Sequence, residues 1–224
     1  MHYTLQFGQV TGYFPYLLGG AWLSLQLGAL SFLIGMAIGL VNATALTFGN
    51  RLVRAPVHAF VIFFLNTPLL VQIFFIFFAL PEVGIVLNPY EAVLIGMSLN
   101  AGAYLTEIQR AGFQSIRRAE IEAAEALGFN LFQLVWYVIL PHISKVLFPP
   151  LSNQFIIQLM TTSIAAIFGV EELTGRTYNI NAQTFRSLEI FSITAGVYVV
   201  LTMIASAMLF VIGRKLFRVT AKVF

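Results

Sequence analysis

Five stretches of this chain, residues 21–46, 57–80, 92–105, 146–170 and 190–212, contain no Lys, Arg or Glu. Their apolar residues are broken only by small or uncharged polar ones, in the first run Ser24, Gln26, Ser31, Asn42 and Thr44. A helix needs roughly 20 predominantly apolar residues to cross a bilayer core. The pattern therefore predicts an all-α integral membrane protein of about five transmembrane helices, one membrane domain over residues 1–224.

Two details of the runs bear on packing. Gly28, Gly35 and Gly39 in the first run either admit a neighbouring helix to close approach, as small residues do in membranes, or are simply tolerated there. The second run is bracketed by Pro56 and Pro81 and interrupted at Asn66-Thr67-Pro68. Pro68 has no N–H to continue a helical ladder, so it marks either a kink in one long helix or the start of the span after an interfacial segment.

Composition agrees: 59% hydrophobic and 9% charged residues, with 22 Phe, are more apolar surface than one soluble core of this length hides. Cys and Asp are both absent, which removes disulfides, thiolate metal sites and most catalytic constellations. Residues 1–19 lack the basic start of a cleaved signal peptide, so the first run is expected to be retained as a span.

The basic residues orient the spans. With the N-terminus outside and the C-terminus in the cytoplasm, Arg51, Arg54, Arg110, Arg117, Arg118, Lys145, Arg214, Lys215, Arg218 and Lys222 all fall inside. Of the 12 basic residues only Arg176 and Arg186 then lie outside, the asymmetry that sets membrane topology. A net charge of +3 thus reads as topology rather than as a nucleic-acid surface.

Residues 109–144 then form a cytoplasmic loop, the longest connection. Within it Arg117 to Ala126 is rich in the helix formers Ala and Glu, Gly128 is placed to end that helix, and a second helix runs toward Pro141. Ala123 and Ala124 would give the first helix a small-residue face for close approach, and Glu122 an acceptor for a partner's donor. An amphipathic helix lying on the membrane is the competing reading; it accounts for Arg117 and Arg118 but not for the spacing through Leu140-Pro141.

That spacing, Glu122-Ala123-Ala124, three residues, Gly128, nine residues, then Val138-Ile139-Leu140-Pro141, resembles the signature loop of the permease subunits of ATP-binding-cassette importers, with Val138 in a slot usually held by Ile. Thr67-Pro68-Leu69-Leu70-Val71-Gln72, the segment from Ser98 to Ile108, Pro149-Pro150-Leu151-Ser152-Asn153-Gln154-Phe155, Gly169-Val170-Glu171-Glu172-Leu173 and Thr184-Phe185-Arg186 are similar to the polar amino-acid uptake branch. The likeness covers the chain from Ala21 onward. Two departures, Leu65-Asn66 where many relatives carry Arg and Met160-Thr161 where many carry Lys with Asp or Asn, argue against charge-based substrate contacts there.

The resemblance implies a type I importer permease fold in a bacterial inner membrane, with no cofactor in this chain. Glu122, Ala123, Ala124, Gly128, Leu140 and Pro141 would form the coupling element seated in a cleft of the ATPase. Its implied partners are two ATP-binding subunits carrying ATP and Mg, a second permease subunit identical or related to this one, an extracytoplasmic amino-acid-binding protein and membrane lipid. No Gly-x-x-x-x-Gly-Lys-Ser/Thr loop occurs in the chain, so the energy must come from another polypeptide.

Polar groups inside apolar spans tend to face a bundle interior or a water-filled path. Thr67, Gln72, Asn100, Tyr104, Gln154, Gln158, Thr161, Thr162 and Ser163 are the candidates, along with Asn66. Asn66 and Thr67 can equally serve backbone groups released by Pro68. Gln154, Gln158 and Thr161 recur at spacings of four and three, which puts them on one helix face. Glu107 and Arg110 are placed for an ion pair, with proton coupling by Glu107 the sharper alternative. His2, His58 and His142 form no metal-binding helix pair. A self-contained secondary transporter is the alternative function, but the inverted repeats of that class are missing, and an intramembrane enzyme lacks its nucleophile and base. A neutral or acidic polar amino acid is the preferred substrate class.

Overall fold

The computed structural model describes residues 4–217; His2, Arg218 and Lys222 lie outside them. The described chain is helical almost throughout: α1 (Phe14–Phe48), α2 (Arg51–Leu65), α3 (Leu69–Phe74), α4 (Pro89–Gln114), α5 (Arg118–Ala126), α6 (Leu131–Leu134), α7 (Leu140–Thr161), α8 (Leu173–Thr184) and α9 (Ser187–Ile212), with short 3₁₀ and π turns between them. Three stretches are long and apolar enough to cross a membrane, Phe7–Phe48, Leu131–Phe168 and Ser187–Lys215, and the broken pair Arg51–Leu65 with Leu69–Val83 counts as a fourth only when its two halves are taken as one span. Helix α4 has 26 residues, about 39 Å at 1.5 Å per residue, and is long enough to be the fifth. Its apolar density is diluted by Ser98, Thr106 and Gln109, all of which it turns inward and buries.

At the second run the structure chooses between the two readings of Pro68. Helix α2 ends at Leu65, Asn66 leaves the helical region, and Pro68 takes an extended conformation (φ −63°, ψ 134°) as the cap of α3. The two are separate helices, not one helix kinked at Pro68. Asn66 Nδ2 donates to the Ile62 carbonyl at 2.8 Å, the same acceptor that takes the Asn66 N–H at 3.1 Å.

The chain divides into two compact units, one of residues 1–33, 67–98 and 155–205, the other of 34–66, 99–154 and 206–224. The first has two apolar cores. Leu27, Ile73, Val93, Met97, Ala165, Phe168 and Val170 form one, where the rings of Phe74 and Phe77 meet Phe168 edge-on at 5.0 and 5.8 Å. Val10, Leu17, Ala21, Leu173, Ile180 and Ile190 form the other, which seats α8 beneath the N-terminal segment.

The second unit is held by close helix approach. A Cβ on Gly35 would lie 2.7 Å from Ala101 Cβ, and one on Gly39 would lie 2.9 Å from the Leu105 backbone. These two glycines therefore let α1 and α4 pack backbone to backbone, the first of the two readings open for them. Gln109 Nε2 adds a bond to the Met36 carbonyl at 3.1 Å. Outside both cores, Trp22, Leu33, Val41, Val199 and Met203 are each more than half exposed, a density of bare apolar side chains that fits lipid or a partner as solvent.

Candidate functional site

The loop expected over residues 109–144 starts within α4, which continues to Gln114, and ends within α7, which begins at Leu140. Between α4 and α7 lie α5, a tight turn, α6 and a π-helical stretch that leads into α7. Helix α5 ends on a Schellman arrangement: Gly128 has φ +80°, its N–H reaches the Glu125 carbonyl at 2.9 Å, and Phe129 N–H reaches the Ala124 carbonyl at 3.1 Å. Only Gly adopts this left-handed conformation without cost. Two residues on, Asn130 caps α6 reciprocally with Gln133 in a capping box. The turn from α5 to α6 is thus fixed by Gly128 and Asn130 together.

From Leu131 the chain is helical through Pro141, and it reaches that proline by a π-helical stretch, Val135–Ile139. Proline lacks the N–H that Tyr137 would otherwise receive and its ring crowds the preceding turn, so a wider turn just before it relieves both problems. His142 Nδ1 lies 3.5 Å from Glu120 Oε2 and ties α5 to the start of α7.

The six residues expected to couple are not equivalent. Glu122 is exposed and accepts a bond from Arg118 Nε at 2.9 Å. Ala123 is exposed, but Ala124 is only 5% exposed, so the expected joint face of Ala123 and Ala124 does not exist: neighbours in a helix point about 100° apart, and Ala124 packs inward. Around them Leu127, Leu131 and Phe132 are each more than 70% exposed, and Trp136 is 55% exposed. Phe132 and Trp136 stack on each other at 6.1 Å. Leu140 is partly exposed.

The polar candidates sort by their bonds. Gln72, buried, donates to the Thr67 hydroxyl at 2.7 Å and to the Thr67 carbonyl at 3.0 Å, a local tie across the break before α3. Gln158, also buried, donates to Ser31 Oγ at 2.9 Å and to the Met97 carbonyl at 3.3 Å, so it joins α1, α4 and α7 inside the first unit. The amide of Gln158 is thus engaged in the interior, while Gln154 and Thr161, which share its helix face by spacing, are half-buried. Thr161, Thr162 and Ser163 return their hydroxyls to the carbonyls of Ile157, Leu159 and Met160. Asn100 is half-buried and donates to the Phe64 carbonyl at 3.3 Å. Tyr104 is exposed and Gln154 half-buried, and the side chains of both keep their hydrogen-bonding capacity for something other than the described residues. Arg110 pairs with Glu107 through Nε at 3.2 Å and through Nη2.

Residues 31–218 match the family described as binding-protein-dependent transport system inner membrane component. The chain belongs to that family. Among curated relatives, the permease is 36% identical over 204 residues to the glutamine transport system permease protein GlnP of Escherichia coli (strain K12), covering 90% of this chain and 93% of that one. It is 35% identical over 211 residues to the L-cystine transport system permease protein TcyB of Bacillus subtilis (strain 168), covering 94% and 90%. The crystal structure of an amino acid ABC transporter with histidines superposes with a TM-score of 0.88 at 30% identity, covering 96% of this chain and all of that one. The inward-facing MetNI methionine ABC transporter, at 18% identity and TM-score 0.65, shares the fold. The permease is therefore a multi-pass bacterial inner-membrane protein, the membrane-spanning subunit of an ABC importer, with ATPase subunits and a substrate-binding protein as the partners of its class.

One feature of the permease went unassigned at the level of sequence. Glu172 is fully buried and receives Ser24 Oγ and Tyr198 OH, each at 2.9 Å, and the Gly175 N–H at 2.9 Å, capping α8. Burial raises its carboxyl above the ordinary value, with the bonds from the backbone, Ser24 and Tyr198 opposing the rise. In the sequence it is one of two adjacent glutamates outside the apolar runs, and nothing there separates it from Glu171.

Proposed function

We propose that this permease carries a polar amino acid inward across the bacterial inner membrane, driven by ATP and Mg bound to two separate ATPase subunits and fed by an extracytoplasmic binding protein. The relatives named for glutamine and cystine and the structural neighbour named for amino acids support the substrate class. The N-terminus lies outside and the C-terminus in the cytoplasm, a reading supported by the distribution of basic residues. On that orientation α5, ending at Gly128, projects into the cytoplasm with Leu127, Leu131, Phe132 and Trp136 bare beside it. This exposed apolar patch next to a rigidly capped short helix is the observation that carries the coupling assignment. These side chains precede the uncharged run of residues 146–170, and on the proposed orientation large apolar groups left in water there are costly and are covered by a protein partner.

Glu122, at the exposed side of α5, offers its carboxylate to that partner once it leaves Arg118, and Leu140 and Pro141 pass movement of the loop into α7, the helix that carries Gln154. Asn100 and Tyr104, one turn apart on α4, and Gln154 are the polar groups best placed for the path. A second permease subunit, the same or related, completes the assembly. The test is purification of the tagged chain from its own membrane in mild detergent, with mass spectrometry of what stays bound. Retention of an ATPase subunit that is lost on joint replacement of Glu122 and Gly128 supports the reading. A chain isolated alone that takes up substrate on an ion gradient overturns it. Tyr104→Phe with Gln154→Leu should then lower substrate-stimulated ATP hydrolysis while the ATPase remains bound.

A further inference from the structure

Helix α2 presents two chemically different ends along one face. Arg51, Arg54 and His58 lead that face, spaced so that they project from one side, and Ala55, Ala59 and Ile62 continue it; all six line a single cleft. Leu46 from the end of α1 and Glu107 and Arg110 from α4 complete the walls. The cleft measures about 820 Å³, within the 300–1,000 Å³ common for ligand sites.

The charges do not cancel. Three guanidinium groups face one carboxylate, and that carboxylate is already taken by Arg110. Arg54 is held in place by an Nη2 bond to the Thr47 carbonyl at 3.0 Å, which leaves its other donors directed elsewhere. The flank of α2 beside this face is apolar and bare: Leu52 is 85% and Phe63 is 57% exposed, which fits a helix at the hydrocarbon boundary rather than in water. A soluble anion would meet no use for the apolar floor at Ile62 and Leu46. An amphiphile whose anionic head meets the arginines and whose chains follow Ala59 and Ile62 uses both ends.

We propose that this cleft is a binding site for an anionic phospholipid, its phosphate held by Arg51, Arg54 and Arg110 and its acyl chains lying along the apolar end of α2. On the orientation proposed above the lipid belongs to the cytoplasmic leaflet, where anionic headgroups and basic juxtamembrane residues attract each other; the binding itself does not depend on ATPase docking.

The test uses the transporter as purified in mild detergent and follows its thermal midpoint on titration with phosphatidylglycerol, phosphatidylcholine or inorganic phosphate. Phosphatidylglycerol should raise the midpoint saturably and the other two should not. Arg51→Gln with Arg54→Gln should weaken the apparent affinity for phosphatidylglycerol about thirtyfold, from the loss of two cations near a charged headgroup, whereas Arg214→Gln with Lys215→Gln should leave it intact. If the double arginine variant does not accumulate, His58→Glu, which adds a negative charge at an exposed cleft position, should weaken the response in the same direction. An unchanged response in the cleft variants overturns the site. Equal protection by inorganic phosphate overturns the lipid and leaves a simple anion site. Either result stands whether or not the ATPase co-purifies, so failure of this proposal and failure of the coupling assignment are read separately.

Discussion

Two glutamates of this chain stand in opposite surroundings. Glu172 is wholly enclosed, and Ser24, Tyr198 and the Gly175 N–H are all supplied to it by its own unit. Glu122 is 60% exposed and holds only Arg118, itself 91% exposed, in a pair one turn long. A buried carboxylate must have its bonds made in advance, because an unmet charge in an apolar interior costs several kcal/mol. An exposed one contributes little to folding and stays available to another molecule. The same contrast extends to their settings: α8 is packed into an apolar core, while α5 sits among bare Leu127, Leu131 and Phe132. The difference separates polar groups that build the permease from those it presents to partners.

The comparison breaks first at Glu172. Glu172→Ala removes the α8 cap and leaves the Ser24 and Tyr198 hydroxyls without their acceptor, a loss of about 3 kcal/mol. For a chain of this length that is a fall of roughly 6–12 °C in thermal midpoint, measurable in detergent by following unfolding of the purified subunit. A midpoint within a degree or two of the wild type would remove Glu172 from the list of structural groups. The pH dependence sharpens the point. Because burial raises this carboxyl above its ordinary value of 4.5, the folded chain binds the proton more tightly than the unfolded one. Stability from this site therefore falls as pH climbs from 4.5 through the raised value. The midpoint of the wild type relative to Glu172→Gln should rise as the buffer is moved from neutral into the mildly acidic range.

Next in size is Gly128→Val. A β-branched residue at φ +80° costs about 1–2 kcal/mol, and the cost falls on the end of α5 rather than on either apolar core. Thermal unfolding of the subunit should change little, because the loop can fray alone, while retention of the ATPase in the pull-down should drop severely. Loss of both together would mean that α5 is part of the folding unit and not a presented element.

A smaller effect is expected at Gln158. Its bonds to Ser31 Oγ and the Met97 carbonyl place it with Glu172 among the building groups, despite its origin as a pathway candidate. A double-mutant cycle of Gln158→Ala with Ser31→Ala, read as thermal midpoints, should give a coupling of about 0.6 kcal/mol, the average for interhelical bonds in a membrane. Zero coupling with a loss of transport would return Gln158 to the path.

Much of this was legible from the order of residues, and what was not has a physical cause. The apolar runs located the long helices, since a bilayer demands continuous apolar length. Gly128 announced the end of α5, since few residues other than glycine take a positive φ. The Asn66-Thr67-Pro68 break was visible but not its form, because a proline permits both a kink and a fresh start, and the bonds of Asn66 and Gln72 that accompany the fresh start have partners that spacing does not name. The inward turn of Ala124 and the burial of Gln158 were hidden for a related reason: spacing says which residues share a face but not which face is covered. Glu172 was hidden most completely. Its partners Ser24 and Tyr198 come from α1 and α9, far from it in sequence, and only the fold assembles them.

The smallest effect on stability tests the comparison most directly. Glu122→Ala removes one half of an exposed i,i+4 pair with Arg118, for which about 0.5 kcal/mol or less is expected, and it adds a better helix former in exchange. The subunit should therefore unfold at the wild-type midpoint within error. If α5 is the element offered to the ATPase, the same variant should still weaken co-purification of that subunit and lower coupled uptake, because the carboxylate is lost from an exposed position beside Ala123. Arg118→Ala frees the Glu122 carboxylate without removing it and should leave co-purification equal to the wild type or better. A matched loss in both variants would assign the effect to the salt bridge within α5. Loss in Glu122→Ala alone would assign it to the partner, which is the outcome that the exposed setting of this glutamate requires.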